Sequence, residues 1–274
     1  MYLKKKGMIP PVPTSYLPKI YLKSEDLLFA ENWLKQENLV EKEFVVMVTR
    51  AGIIKRTALS EFKNVRTAGI TAISADEGDE LVSARITRGT NDIFLCSKDG
   101  MSIRFNEQDV RPLGRTARGV IGMNLEKNNQ IVALEVLEKS SGDEAPVESE
   151  ILTVTENGYG KRTPVTEFRL QGRGGVGVIN MKSLEKNGTI IGSRQVSAKT
   201  DIMLVSNRGQ MIRIHVGEIS EQGRNSQGVR LITLESGEKL VSFELMAMAI
   251  VEDSSDTSDK VIISVSSDGT DISQ

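Results

Sequence analysis

The chain has 274 residues, 39% hydrophobic and only 4% aromatic, enough for one large repeat domain or two ordinary ones with an aliphatic core. One cysteine excludes an intrachain disulfide framework and suits a reducing compartment, one histidine excludes multi-histidine metal sites and His-dependent triads, and no apolar run reaches the roughly 18 residues of a membrane-spanning helix. The net charge of −2 conceals an asymmetry: residues 252–274 carry six acids and one lysine, while the remaining 251 residues are net +3, which fits either a polyanion partner or a merely solvated terminus.

Residues 1–40 open with positive charge but no apolar stretch behind it, so they are not a secretory signal, and the expected compartment is the cytoplasm. Pro10, Pro11, Pro13 and Pro18 make the first half irregular. Ser24 to Asn38 reads either as a capped amphipathic helix, with Leu27, Leu28, Ala30 and Leu34 on one face, or as strands of a partial blade.

From residue 41 onward one phrase recurs: a glycine, an arginine four residues later, an acid five further, then a second glycine. It reads Gly52-Arg56-Glu61-Gly69, Gly100-Arg104-Asp109-Gly119, Gly158-Arg162-Glu167-Gly177 and Gly209-Arg213-Glu218-Gly228, with first glycines 48, 58 and 51 residues apart. Each repeat starts with a β-branched or apolar run, such as Phe44 to Val48 or Ile202 to Val205, followed by a glycine-bearing hairpin turn. A second strand carries the arginine, a glycine-rich loop follows, a third strand starts after the second glycine, and an aliphatic pair (Leu81-Val82, Ile131-Val132, Ile190-Ile191, Leu240-Val241) begins a fourth. A unit of that period, used repeatedly, predicts an all-β, propeller-like array of four-stranded blades over 41–250, with repeats near 41–90, 91–138, 150–199 and 200–250. Residues 138–149 are a polar insert, and 251–274 are expected to be an acidic, mostly disordered tail in which Val261 to Ile263 can pair as an edge strand.

No catalytic constellation accompanies these repeats: the chain has no phosphate-binding P-loop or dinucleotide fingerprint, and no cofactor or metal is expected. Cys96, in the run Ile93 to Cys96, reads as a small buried hydrophobe, and His215 as a surface or packing residue. The patterned chemistry is basic. Lys55, Arg56, Arg104, Lys161, Arg162 and Arg213 recur on the second strand; Arg66, Arg111, Arg115, Arg118, Arg169, Arg173 and Arg224 lie in the loops, and Arg230 begins the last third strand. Glycine-rich loops admit a large ligand close to the backbone, and arginine offers bidentate contact to phosphate oxygens. Arranged on a ring, such loops form a belt that double-stranded DNA can follow through backbone contacts without base reading. The competing reading pairs each strand arginine with the acid five residues later, as a brace for the strand-to-loop corner.

Val110 to Val120 (VRPLGRTARGV), Glu156 to Val165 (ENGYGKRTPV) and Gly223 to Val229 (GRNSQGV) resemble the C-terminal domain of DNA gyrase A, over about residues 40–249. The resemblance implies a β-pinwheel, whose strands pass between adjacent blades and whose perimeter binds and wraps DNA in support of supercoiling. It also implies the rest of gyrase A, and gyrase B, as partners if the chain is a fragment, and a bacterial, nucleoid-associated setting. The family's gyrase box, Gln-Arg-Arg-Gly-Gly-Lys-Gly, is matched in degenerate form by Gln171, Gly172, Arg173, Gly174, Gly175, Val176 and Gly177, which keep five of its seven residues and lose two basic ones. It falls in the third repeat instead of the first blade, and the breakage-reunion region with its catalytic tyrosine has no counterpart, so the chain is expected to be non-enzymatic. DNA binding carries over better than full wrapping. The alternatives are a topoisomerase IV type of domain and a propeller-type protein-interaction module.

Overall fold

The computed structural model describes residues 43–64, 69–137, 149–182 and 186–246. The expectations for residues 1–40, for 138–148 of the insert, for the tail and for Arg66 fall outside them.

Every repeat is nucleated by a hairpin that its glycine permits. In the first, β1 (Phe44–Thr49) and β2 (Ile53–Ala58) pair antiparallel, with Val48 opposite Ile54. Gly52 closes the turn at φ +83°, a conformation that costs a side-chain-bearing residue about 1–2 kcal/mol. The same hairpin recurs as β4 (Asp92–Ser97) with β5 (Met101–Asn106), and as β8 (Glu150–Thr155) with β9 (Tyr159–Pro164). The fourth joins β12 (Asp201–Ser206) to β13 (Met211–His215). A short 3-10 turn follows each second strand, at Leu59–Phe62, Glu107–Asp109, Val165–Glu167 and Val216–Glu218, and holds the acid of the recurring phrase.

The strand that begins with the aliphatic pair lies on the other side of each hairpin: β3 (Leu81–Thr87) on β1, β7 (Ile131–Leu137) on β4, β11 (Ile190–Val196) on β8, and β15 (Leu240–Met246) on β12. These four pack on one another in sequence, β3 on β7, β7 on β11 and β11 on β15, so they line the inner side of the array. The second strand of each hairpin therefore faces the outer side.

On that outer side strands pass between adjacent blades, as the resemblance implies and the repeat pattern alone does not. The strand after the second glycine does not join its own blade. It is only two residues long and crosses to the preceding one: β6 (Val120–Ile121) pairs with β2, β10 (Val178–Ile179) with β5, and β14 (Val229–Arg230) with β9. The sheets thus run, inner edge to outer, β3-β1-β2-β6, β7-β4-β5-β10 and β11-β8-β9-β14, while β15-β12-β13 has three strands among the described residues. The crossing needs both glycines. A Cβ on Gly119 would lie 2.6 Å from the carbonyl oxygen of Ile54, and one on Gly52 would lie 2.7 Å from that of Met123. Gly69 and Gly209, at the two ends of the array, have nothing within 4 Å at the same atom.

Hydrophobic cores sit between blades. Val46, Ile54, Ile93, Leu95 and Phe105 fill the first junction. Phe94, Ile151, Phe168 and Ile190, with an edge-to-face Phe94–Phe168 contact at 5.0 Å, fill the second. Leu152, Ile202, Leu204 and Phe243 fill the third. Cys96 is buried in the second core, where Asn180 Nδ2 donates to its Sγ at 3.3 Å, and desolvation pushes its thiol pKa up, as expected of a small hydrophobe.

Candidate nucleic-acid interface

Three of the four strand arginines, Arg104, Arg162 and Arg213, meet an acid twelve residues upstream. Arg104 donates from Nε and Nη2 to Asp92 Oδ2 at 3.0 and 2.8 Å, and from Nη1 to the carbonyls of Val165 and Phe168 in the next blade. Arg162 donates to Glu150 at 2.6 Å and to the Ile219 carbonyl at 2.6 Å. Arg213 pairs with Asp201, which His215 Nδ1 also meets at 2.7 Å; hydrogen bonds from His215 and Arg213 hold the Asp201 carboxyl below its usual range. In the first repeat the acid's position is occupied by Phe44. Arg56 stacks on that ring at 4.4 Å and meets Glu107 of the next repeat at 3.5 Å. The bracing partners expected from the sequence, Glu61, Asp109, Glu167 and Glu218, are replaced by Asp92, Glu150 and Asp201, because cross-strand neighbours on a hairpin are closer than residues around a corner.

Lys55 and Lys161 are fully buried, which corrects the expectation that they face a ligand. Lys55 Nζ donates to the carbonyls of Ala72, Arg115 and Ala117, at 2.6 Å for Ala72 and 3.2 Å for Ala117. Lys161 Nζ donates to those of Gly223 and Arg224, both at 2.7 Å. Desolvation, with Arg115 beside one and Arg224 beside the other, lowers each ammonium pKa to about 8. The two lysines are posts under the loops. The second and fourth repeats place Ile103 and Ile212 at the same position.

The loop arginines occupy the outer edge. Arg115, Arg173 and Arg224 each follow a glycine at equivalent positions, and each guanidinium rests on a carbonyl of the preceding repeat. Arg115 Nη1 donates to Thr71 at 3.2 Å, Arg173 Nη1 to Ile121 at 3.0 Å and Arg224 Nη1 to Ile179 at 3.0 Å. Thr71, Ile121 and Ile179 are themselves equivalent, two residues beyond Gly69, Gly119 and Gly177. One guanidinium is thus held at the same point of three successive blades, with N–H groups to spare. Arg173 also donates from Nε to the Asp109 carbonyl at 2.8 Å.

Arg111 and Arg169 are exposed two residues beyond Asp109 and Glu167, with no ion-pair partner among the described residues. Lys63 stands exposed two residues beyond Glu61. The sequence reading missed it, although its register with Arg111 and Arg169 was the available signal. Arg118 forms an exposed pair with Asp76 and so does not share their freedom. Arg230 donates to the Tyr159 hydroxyl at 3.1 Å, a bond that lowers the phenol's pKa.

Of the degenerate box, Arg173 supplies the charge and Gly174 and Gly177 take positive φ. Val176 is 59% exposed where the box has a basic residue. Among the described residues no cluster of histidine, cysteine and carboxylates is suited to a metal, and no helix is long and apolar enough to cross a membrane.

The axial side is a separate, self-neutralising feature. A hollow of about 150 Å³ between the inner strands is lined by Arg85, Glu135, Arg194 and Glu244, one per blade. Glu135 lies between Arg85 at 3.7 Å and Arg194 at 3.4 Å, and Arg194 reaches Glu244 at 3.2 Å.

The family described as DNA gyrase C-terminal domain, beta-propeller, matches residues 43–88, 91–138, 149–197 and 200–245. The chain is 42% identical over 231 residues to the DNA gyrase A protein of Staphylococcus aureus, covering 84% of this chain and 25% of that protein; it therefore spans a quarter of the length of these relatives. A solved DNA gyrase A C-terminal domain superposes with a TM-score of 0.67 at 30% identity, over 76% of this chain and 67% of that one. The C-terminal domain of DNA topoisomerase IV gives 0.70 at 27% identity, over 76% and 63%.

Proposed function

The chain belongs to the DNA gyrase C-terminal domain family, and on that premise we propose that it binds duplex DNA along its outer edge, without reading sequence, and bends it over successive blades. The observation that carries this is the repetition of one guanidinium position, at Arg115, Arg173 and Arg224, on the side of the sheets away from the axis. Lys63, Arg111 and Arg169 add a second row of exposed charge. Contacts at equal positions on successive blades suit a polymer of evenly spaced phosphates, and fixed guanidinium planes suit bidentate phosphate binding. Smooth bending of a 20–30 bp duplex costs roughly 1–6 kcal/mol, so contacts from more than one blade are needed to offset it.

Residues 41–250 are the binding unit in this reading. Its setting is a bacterial type IIA topoisomerase, gyrase more than topoisomerase IV, with the remainder of gyrase A and gyrase B as partners and the nucleoid as the place of action. The degenerate box makes binding stronger than wrapping. The test is affinity for a random-sequence duplex from 50 to 200 mM salt. The reading expects binding at low salt that weakens steeply; no binding at low salt would favour a protein-interaction module instead.

A further inference from the structure

Besides its charges, the outer edge carries a repeated apolar feature. In the two-residue strands β6 and β10 the first residue, Val120 or Val178, packs on a blade-junction core. Strand alternation turns the next residue outward, and Ile121 is 53% and Ile179 42% exposed. These are equivalent positions, and the carbonyl of each isoleucine is the one on which Arg173 or Arg224 rests. The neighbouring loop leaves the first side chain uncovered. Gly174 lies beside it, where an added Cβ would come 3.9 Å from Ile121 Cγ2. Leu170, 55% exposed, and Val176, 59% exposed, belong to the same repeat's loop. An isolated exposed aliphatic residue is ordinary, but one that recurs at blade spacing beside a fixed guanidinium is not explained by packing.

We infer that Ile121 and Ile179 are apolar DNA contacts, seated against the deoxyribose edge of a duplex whose phosphates meet Arg173 and Arg224. The inference rests on the DNA-binding reading above. The adjacent guanidinium selects a polyanion over an apolar protein surface, and the sugar edge between two phosphates is the apolar part of a duplex within reach of such a pair. At the ends of the array the equivalent residues are Thr71 and Arg230, so the apolar pair is confined to the middle blades. A contact of this kind releases no counterions. It adds affinity that salt does not remove, which suits holding DNA at the crest of a bend.

The experiment measures duplex affinity across 50–200 mM salt for the parent chain, for Ile121→Ser/Ile179→Ser, and for Ile121→Arg/Ile179→Arg, which copies Arg230 of the fourth repeat. The serine variant is expected to bind about tenfold more weakly at every salt concentration with an unchanged salt slope, since half-buried isoleucines lose apolar contact alone. The arginine variant is expected to steepen the slope by roughly 2, one counterion per added charge. Unfolding midpoints equal to the parent's show that side chains, not folding, are being read. Equal affinity of the serine variant and the parent overturns the inference while leaving the DNA reading intact. A parent that binds no DNA overturns the reading itself.

Discussion

Arg104 on β5 holds Asp92 on β4 through Nε and Nη2, and with its remaining nitrogen reaches the carbonyls of Val165 and Phe168 in the next blade. One side chain thus ties a hairpin to its neighbour. Asp92 is 2% exposed and Arg104 22%, so removing Arg104 takes a guanidinium partner from a buried carboxylate. Arg104→Ala is expected to lower stability by about 3 kcal/mol, within the range for a broken buried pair. The equivalent Arg213, 63% exposed, pairs with Asp201 in the open, and Arg213→Ala is expected to cost less than about 1 kcal/mol. Urea unfolding of the two variants measures the difference.

Strand crossing is tested by two glycines of equal backbone geometry. Gly52 has φ +83° and Gly209 φ +84°, so alanine is strained by the same amount at both. Only at Gly52 does a Cβ also meet a backbone atom, the Met123 carbonyl oxygen at 2.7 Å. Gly209→Ala is expected to cost about 1–2 kcal/mol and Gly52→Ala at least about 2 kcal/mol more, by the same unfolding measurement.

Much of this fold is legible in the sequence because it is local. A turn glycine between two apolar runs specifies a hairpin, and four such turns at a regular period specify blades. The destination of the third strand is not legible in the repeat pattern, and only the family resemblance implies that it passes to an adjacent blade. Val120-Ile121 is too short for its pattern to choose a partner, and the choice is made by Ile53 and Ile54 more than sixty residues earlier. Pairing Arg104 with Asp109 fails because proximity in sequence is not proximity on a hairpin, where position 92 faces position 106. Burial of Lys55 and Lys161 is hinted at only by the isoleucines at their equivalents, Ile103 and Ile212. The loop arginines are readable as a set, but only the structure separates Arg115 and Arg173 from Arg118, which pairs with Asp76, and from Arg224, whose Nε reaches Glu167 at 3.9 Å.

The two buried lysines give stability a pH dependence of defined sign. Each has a folded pKa of about 8 against an ordinary 10.5, so between those values the unfolded chain carries protons that the folded one has released. Stability therefore rises with pH from about 8 to 10.5 through this contribution. In Lys55→Met/Lys161→Met that rise is expected to shrink, even though the variant loses carbonyl partners and is less stable at neutral pH. Denaturant midpoints at pH 7.5, 8.5 and 9.5 check it.

Glu135 acts in the opposite direction. Burial raises its pKa from 4.5 to about 7 despite Arg85 beside it, so the folded chain holds a proton that the unfolded one loses. Its contribution is complete below about pH 4.5 and disappears as pH rises through 7. Glu135→Gln is expected to flatten the loss of stability between pH 5 and 7, read from thermal midpoints across that range.

The most direct test of the central claim is the salt slope of duplex binding for Arg115→Ala/Arg173→Ala/Arg224→Ala. These side chains lie at the outer edge and rest on single carbonyls, two in the case of Arg173 and with Glu167 at 3.9 Å in the case of Arg224, so the fold is expected to survive their loss. If each guanidinium neutralises one phosphate, the logarithmic slope falls by about 2.7 relative to the parent, with weaker binding at every salt concentration. A folded variant with the parent's slope and affinity would contradict the account.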